Sequence, residues 1–279
     1  MKARKIFDPL CLLLILLAVS LPPIARAEDE KPKPEAVQTE QAKPAQVPGE
    51  NRENQEEPKG PPKVVETFPK IGDPDVDSGI LAILVTFDRD MSDGISWTGG
   101  GDYYPKLTEG KKPEWQDKRT CAYPVDLEKG RFYCIGVNST TRRNFQSLKG
   151  VPAEPTVIYF TTEGATEGVK QKLQKPTVKL MLPQNHSSSA DPKAKQMRID
   201  FDIAMQPNIQ LIESGPYFPP LDRTRRPYWA ADHKSFYIPV QLKPKQSYRL
   251  YLNGRGSLNF VSESGVPLDS LLYMFQTGP

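Results

Sequence analysis

The amino-acid sequence predicts an all-β protein built from two tandem antiparallel β-sandwiches. First, residues 121–162 return as residues 236–277, at a constant spacing of 115. Second, earlier residues match at a spacing of 114, so each copy is about 100 residues long, a normal size for one domain. Third, short β-branched and aromatic runs alternate with Pro/Gly turns, without helical periodicity. The matched pairs include Pro124 and Pro239, Leu127 and Leu242, Tyr133 and Tyr248, Asn138 and Asn253, Gly150 and Gly265, Phe160 and Phe275, and, upstream, Phe87 and Phe201.

The first 27 residues have the pattern of a secretory signal peptide. Lys2, Arg4 and Lys5 precede an apolar core at 10–21, and an Ala-x-Ala cleavage site ends at Ala27. Twelve apolar residues are too few to span a bilayer, and no later stretch is long enough. We therefore expect no transmembrane helix in the mature chain, and export to the periplasm, the medium or the cell surface.

Residues 28–60 form a segment rich in Pro, Glu, Lys and Gln, without aromatic residues, Leu or Ile. This composition buries too little apolar surface to offset the entropy of ordering, so we predict a disordered stalk. It is either a spacer that holds the domains away from a surface or a tolerated terminus. Without residues 1–27 the chain has 33 basic and 33 acidic residues, a balance that gives no electrostatic footprint for nucleic acid.

The repeat places the first domain at residues 61–163 and the second at 176–279, joined by a polar linker at 164–175. Each domain has an early strand whose apolar residues alternate, which is typical of a strand with one buried face. The residues expected to face inward are Ile83, Val85 and Phe87 in the first domain, and Met197, Ile199 and Phe201 in the second.

A tyrosine opens a late strand in each domain. Tyr133 and Tyr248 each follow a leucine by six residues, across a polar turn. This is the placement of the tyrosine corner of immunoglobulin-like (Ig-like) folds, whose hydroxyl is tied back to the backbone. We assign a structural role to both tyrosines and to the paired residues Phe87 and Phe201.

Two sets of motifs recur in both copies. They are Phe87-Asp88-Arg89-Asp90-Met91 with Gly150-Val151-Pro152, and Phe201-Asp202-Ile203-Ala204-Met205 with Gly265-Val266-Pro267. By these motifs the chain resembles two copies of the bacterial Ig-like domain found in S-layer-type surface proteins, over about residues 61–278. The resemblance implies extracytoplasmic modules used as spacers or binding units, and it implies no catalytic residues.

No residue constellation in the sequence predicts catalysis. The two His residues, His186 and His233, lie in loops, neither recurs in the other copy, and no nucleophile motif is present. Two His and three Cys are too few for a metal cluster with recognisable spacing. Asp88, Asp90 and Asp93 could offer oxygen ligands to calcium, but the second copy keeps only Asp202, so we expect bonds within their own turn. The sequence predicts no enzyme, no metal site and no cofactor.

An aromatic insert between the early and late strands of each copy is the most suggestive candidate site. It is longer and more aromatic than the resembled family has there. Its rings could stack on sugars with Asp side chains beside them, or they could pack the insert onto the sandwich. The exposed fraction of the two tryptophans decides between sugar binding and packing. The candidate binding residues are Tyr103, Tyr104, Trp115, Tyr217, Phe218 and Trp229.

Cys121 and Cys134 raise the question of a disulfide, which an exported location permits. Cys121 corresponds to Phe236 and should point inward, whereas Cys134 corresponds to Arg249 and should point outward. Side chains that leave a sandwich in different directions are difficult to bridge, so the bond is possible but not favoured.

The leading functional hypothesis is a non-enzymatic, exported Ig-like interaction or spacer protein of the bacterial cell envelope. Its partner would be an envelope protein or a polysaccharide that the sequence does not identify. The alternative is a carbohydrate-binding protein that uses the aromatic inserts of the two domains.

Overall fold

A computed structural model describes residues 58–279 apart from 209–210, 212–214 and 255. The strands of the first repeat are β1 (Val64–Phe68), β2 (Ala82–Phe87), β3 (Trp97–Thr98), β4 (Lys106–Leu107), β5 (Glu114–Trp115), β6 (Thr120–Asp126), β7 (Phe132–Val137) and β8 (Thr156–Thr161). In one antiparallel sheet β1 pairs with β2 and β2 with β6, and β4 and β5 both pair with β6. In the other sheet, β7 pairs with β3 and β8.

The second repeat follows the same order. Its strands are β9 (Val178–Leu182), β10 (Gln196–Phe201), β11 (Tyr228–Trp229), β12 (Ser235–Pro239), β13 (Ser247–Leu252) and β14 (Leu271–Gln276). The first sheet has the order β9-β10-β12-β11, and β13 pairs with β14 in the second.

This strand order defines the fold. In an Ig-like sandwich, strands A, B, E and D form one sheet and strands C, F and G the other. In the first repeat β1-β2-β6-β5 correspond to A-B-E-D, and β3-β7-β8 correspond to C-F-G. In the second repeat β9-β10-β12-β11 correspond to A-B-E-D, and β13-β14 to F-G. The chain is therefore all-β with two tandem Ig-like antiparallel sandwiches, which confirms the predicted fold class.

Each repeat has its own apolar core between its two sheets. The inward-facing sets of β2 and β10 are fully buried, because alternate strand residues share a face. In the late strands β7 and β13, alternate residues also face the core. The core residues of these four strands are Ile83, Val85, Phe87, Tyr133, Ile135 and Val137 in the first repeat, and Met197, Ile199, Phe201, Tyr248, Leu250 and Leu252 in the second.

Two hydrogen-bonding devices recur at equivalent positions. The Tyr133 hydroxyl accepts the backbone N–H of Glu128 at 2.8 Å, and the Tyr248 hydroxyl accepts that of Lys243 at 2.8 Å. Both repeats therefore contain a tyrosine corner, in which the phenol closes the turn before the late strand.

Asn138 is the second recurring device. It lies just after β7 with a left-handed backbone (φ 59°), a conformation that Asn tolerates better than most residues. Its amide donates to the carbonyls of Phe145 and Ala153, and its oxygen accepts the N–H of Phe145. Asn253 makes the same three bonds in the second repeat. Each buried Asn thus satisfies three backbone groups of the loop between the last two strands.

The predicted linker contains a helical turn. Helix α1 (Glu167–Lys170) begins after Thr166, whose hydroxyl accepts the N–H of Val169, and a 3₁₀ turn (Gln171–Leu173) follows it. Val169 and Leu173 lie four residues apart, so they fall on one side of this turn and pack against apolar residues. None of the helices in the described part of the chain is long and apolar enough to cross a membrane.

The first described residues are hydrogen-bonded to the first repeat. Arg89 is 5% exposed, and its guanidinium pairs with Asp88 and donates to the carbonyls of Pro58, Gly60 and Pro61. The end of the predicted stalk is therefore held by hydrogen bonds from the Arg89 side chain to the backbone carbonyls of Pro58 and Gly60, which composition alone did not predict. The predicted signal peptide and the rest of the stalk lie outside the described residues.

Candidate functional site

The two insert tryptophans pack inward. Trp115 lies 6.0 Å from the ring of Phe87 and 5.6 Å from that of Phe145, centre to centre, and its indole N–H donates to the carbonyl of Asp93 at 3.2 Å. Trp229 lies 4.8 Å from Phe236, and its N–H donates to the Asn208 carbonyl at 3.0 Å. Both indoles are half-buried with their only donor used. This geometry favours the packing interpretation over the sugar-binding one.

Three other aromatic residues of the inserts differ in how far they are buried. Tyr104 packs edge-on against Tyr123, and burial raises the pKa of its phenol. Phe218 packs against the core of the second repeat. Tyr217 is 47% exposed, with the guanidinium of Arg249 4.5 Å above its ring.

Tyr103 belongs to a contact between the two repeats. Its ring packs edge-on against Phe132 at 5.3 Å, and its hydroxyl accepts a hydrogen bond from Lys172 Nζ at 2.9 Å. Among the described residues the six predicted binding aromatics therefore do not converge on one site. Two pack in each core, one joins the repeats and one is open to solvent.

Cys121 and Cys134, the cysteines in the described part of the chain, are free thiols, one on the inner face of its sheet and the other on an outer face. Cys121 is fully buried inside the first sandwich, and Cys134 lies on the outer face of β7. Burial raises the pKa of each thiol to about 12, so both are protonated at neutral pH. The outward-facing Cys134 is only partly exposed to solvent, because Gly265 of the second repeat lies against it.

The joint between the repeats is the feature that sequence reasoning missed. On the outer face of the first repeat's second sheet, Phe132 and Tyr159 form an apolar cluster with Val266 of the second repeat, which is fully buried. Val169 and Leu173 of the linker pack against the same cluster. The available signal was the four-residue spacing of these two apolar residues within a polar segment.

Polar contacts surround this cluster. The Ser264 hydroxyl donates to the carbonyl of Lys172 at 2.8 Å, so the second repeat is tied to the linker. Lys175 Nζ donates to Asp269 Oδ1 at 2.6 Å, and this hydrogen bond raises the pKa of the lysine. An apolar centre with a hydrogen-bonded rim is the usual anatomy of a stable interface.

Two of the three carboxylates in the group Asp88, Asp90 and Asp93 pair with arginines. Asp88 pairs with Arg89, whose hydrogen bond lowers the pKa of that carboxyl against the opposing effect of burial. Asp90 pairs with Arg119 at 2.7 Å. In the described part of the chain no three His, Cys, Asp or Glu side chains are grouped so that they could hold a metal ion.

Comparisons with known proteins give no family assignment. No protein-family profile matches the sequence, and no curated protein matches it. Among solved structures, the chain is similar to a titin fragment solved as an anomalous substructure, with 8% identity, a TM-score of 0.23, and coverage of 79% of this chain and 100% of that one.

It is also similar to a chimeric titin Z1Z2 with an exogenous peptide from decorin, with 8% identity, a TM-score of 0.23, and coverage of 78% and 95%. A third similar structure is Dpr2 Ig1-Ig2 in complex with DIP-Theta, with 9% identity, a TM-score of 0.22, and coverage of 78% and 99%. The Ig-like assignment rests on the strand order and tyrosine corners described above.

Proposed function

We propose that the chain is a non-enzymatic interaction and spacer protein, exported to the bacterial cell envelope, whose two Ig-like domains act as one stiff unit. The observation that carries this proposal is the joint between the repeats. A flexible pair of domains would leave the outer face of β7 and β8 exposed, whereas here Val266 buries it. An apolar contact of this kind opposes the relative motion that is otherwise expected of neighbouring domains.

The N-terminal junction supports the same role. The Arg89 guanidinium binds three backbone carbonyls of residues 58–61, so the first described residues are held against the first domain. A disordered stalk joined at this point would tether the two domains at a distance from a surface without fixing their orientation.

Stiffness is tested by ¹⁵N relaxation of the two repeats. A rigid pair tumbles together, so both repeats should show one rotational correlation time. Leu173→Asp, which places a charge against the apolar cluster, should give each repeat its own shorter correlation time. Gln171→Asp on the exposed side of the same turn is the matched control and should leave the tumbling unchanged. Independent tumbling of the unaltered repeats would refute the stiff-unit role.

Export is tested separately. Residues 1–27 fused to a phosphatase reporter that folds only outside the cytoplasm should give activity, and an arginine placed within residues 10–21 should abolish it. A cytoplasmic location of the full chain would refute the envelope role.

Carbohydrate binding through the inserts is the weaker alternative. Both tryptophans use their indole N–H on the backbone, and of the six candidate aromatics Tyr217 has the largest exposed fraction. Sugar stacking needs an open ring face with polar groups beside it, and the indoles are half-buried against the cores.

A further inference from the structure

Each repeat has the same loop between its last two strands. The loops span residues 147–152 and 262–267, and each contains the Gly-Val-Pro motif. In both, two backbone hydrogen bonds close the turn, so its shape is built before any contact is made. These bonds are Ser147 N–H to Val151 O at 2.9 Å and Gly150 N–H to Ser147 O at 2.9 Å, and Ser262 N–H to Val266 O at 2.8 Å and Gly265 N–H to Ser262 O at 2.8 Å.

The loop of the second repeat is docked. Val266 is 0% exposed in the cluster with Phe132 and Tyr159, and the Cys134 thiol lies 3.8 Å from the carbonyl oxygen of Gly265. The structure thus shows what this kind of loop binds. Its receptor is the outer face of an Ig-like F–G sheet, with aromatic residues around a small central side chain.

The equivalent loop of the first repeat is open. Val151, which corresponds to Val266, is 41% exposed, and Leu148 in the same loop is 67% exposed. Two apolar side chains on a pre-formed turn need little ordering to bind, so the entropy cost of docking would be small. The second repeat has Glu263 in place of Leu148, so the first loop is the more apolar of the two.

A second copy of this chain is a poor receptor. Its second repeat has Ser247, Arg249 and Met274 where the first has Phe132, Cys134 and Tyr159. The Arg249 side chain covers the centre of that face by lying over Tyr217.

We propose that loop 147–152 is a docking element for the outer F–G sheet face of an Ig-like domain in another protein chain, a face with aromatic and small side chains like that of the first repeat. The inference deepens the proposed interaction role and rests on it. It assumes that the first loop binds an Ig-like sheet face in the way that the second loop already does between the two repeats. The partner domain supplies the apolar pocket, and Val151 and Leu148 fill it.

The chain itself can supply the probe surface. Val266→Asp places a charge in a fully buried apolar cluster, which should release the second repeat and expose the face of the first. Reaction of Cys134 with a thiol reagent reports the release, and mass spectrometry of the labelled peptides separates it from reaction at Cys11 or Cys121. Multi-angle light scattering of the full chain should then show mass rising with concentration, as the open loop of one molecule docks on the exposed face of another.

Val151→Asp added to Val266→Asp should return the chain to a monomer while Cys134 stays reactive. Three results would overturn the proposal: a monomeric Val266→Asp variant with reactive Cys134, association that persists in the double variant, or a Cys134 that stays protected in Val266→Asp. Association of the unaltered chain that Val151→Asp abolishes would overturn the choice of partner in favour of a second copy. None of these results bears on export, and the association results leave the spacer role standing. Only a protected Cys134 in Val266→Asp would also bear on the joint, because it would mean that Val266 does not hold the two repeats together.

Discussion

Cys134 of the first repeat lies directly beneath Gly265 of the second. The thiol is 3.8 Å from the Gly265 carbonyl oxygen, and a Cβ built on this glycine would meet the sulfur at 3.1 Å. Gly265 also has a positive φ of 93°, a conformation open to glycine and costly for other residues. The joint therefore needs a small residue on both sides, and the pairing explains why a cysteine directed away from its own core is partly covered.

Gly265→Ala should loosen the joint. The new methyl group meets Cys134 and is also strained by the positive φ, so we expect a larger loss of stability than the ~1–2 kcal/mol of backbone strain alone. The matched control is Gly150→Ala, where φ is 74° and the nearest side-chain atom is 3.9 Å away. Urea unfolding measures the difference, and thiol labelling of Cys134 should accelerate in Gly265→Ala alone. Equal losses of stability and equal rates of Cys134 labelling in the two variants would mean that the contact between Gly265 and Cys134 does not hold the joint.

The tyrosine corners should contribute separately to each domain. Tyr133→Phe leaves the backbone N–H of Glu128 without its partner, and Tyr248→Phe does the same for Lys243. Both hydrogen bonds are part-buried, so water can partly solvate the freed N–H, and we expect a loss of about 0.5–1.5 kcal/mol in the free energy of unfolding of the affected repeat. Tyr228→Phe is the control, because its hydroxyl is exposed and makes only a long 3.5 Å contact with Gln196. Losses no greater than that of the control would contradict a structural role for the corner.

The sequence predicts the sandwiches because core positions are repeated. Tyr133 and Tyr248, or Phe87 and Phe201, occupy equivalent environments, so two independent copies of one pattern point to the same fold. The joint could not be predicted in this way, since it breaks the symmetry. Phe132 and Tyr159 face away from their core, and a single sequence does not tell which outer face is covered.

The aromatic inserts show a second limit of prediction from sequence, which arises although their residues do recur. Trp115 and Trp229 recur, and recurrence fits packing and binding equally well, because both constrain the same side chain. The decision depends on where the indole N–H points, and that depends on the distant carbonyls of Asp93 and Asn208. Contacts across loops of this kind have no periodic signature in the sequence.

The Asp88–Arg89 pair should make the first repeat sensitive to acid. The hydrogen bond from Arg89 lowers the pKa of Asp88 in the folded state. A carboxyl with a lowered folded pKa stabilises the fold above its unfolded pKa of about 3.9, and this contribution is lost as pH falls through the folded pKa. Asp88→Asn should therefore destabilise the protein at pH 7, and the difference from the parent chain should shrink below about pH 4.

Denaturation of both chains between pH 2 and pH 7 checks this. Asp90→Asn removes a more exposed pair with Arg119 and should cost no more than about 1 kcal/mol. A difference between Asp88→Asn and the parent that stays constant down to the lowest pH would show that the ion pair does not hold the junction.

Trp115→Ala separates packing from sugar binding. The indole fills space beside Phe87 and Phe145 and satisfies the carbonyl of Asp93, so its removal leaves a cavity and an unpaired acceptor. We expect a loss of about 3 kcal/mol, at the low end for a buried Trp because this one is half-exposed to solvent. Trp229→Ala should cost the second repeat a similar amount. Tyr217→Ala, which removes an exposed ring, is the control and should change stability little.

A thermal melt and a polysaccharide pull-down on the same three variants check this. The two tryptophan variants should melt at lower temperatures, and all three variants should retain as much polysaccharide as the parent chain. A Trp115→Ala protein that melts normally and loses a polysaccharide bound by the parent chain would make carbohydrate binding the better interpretation of the inserts.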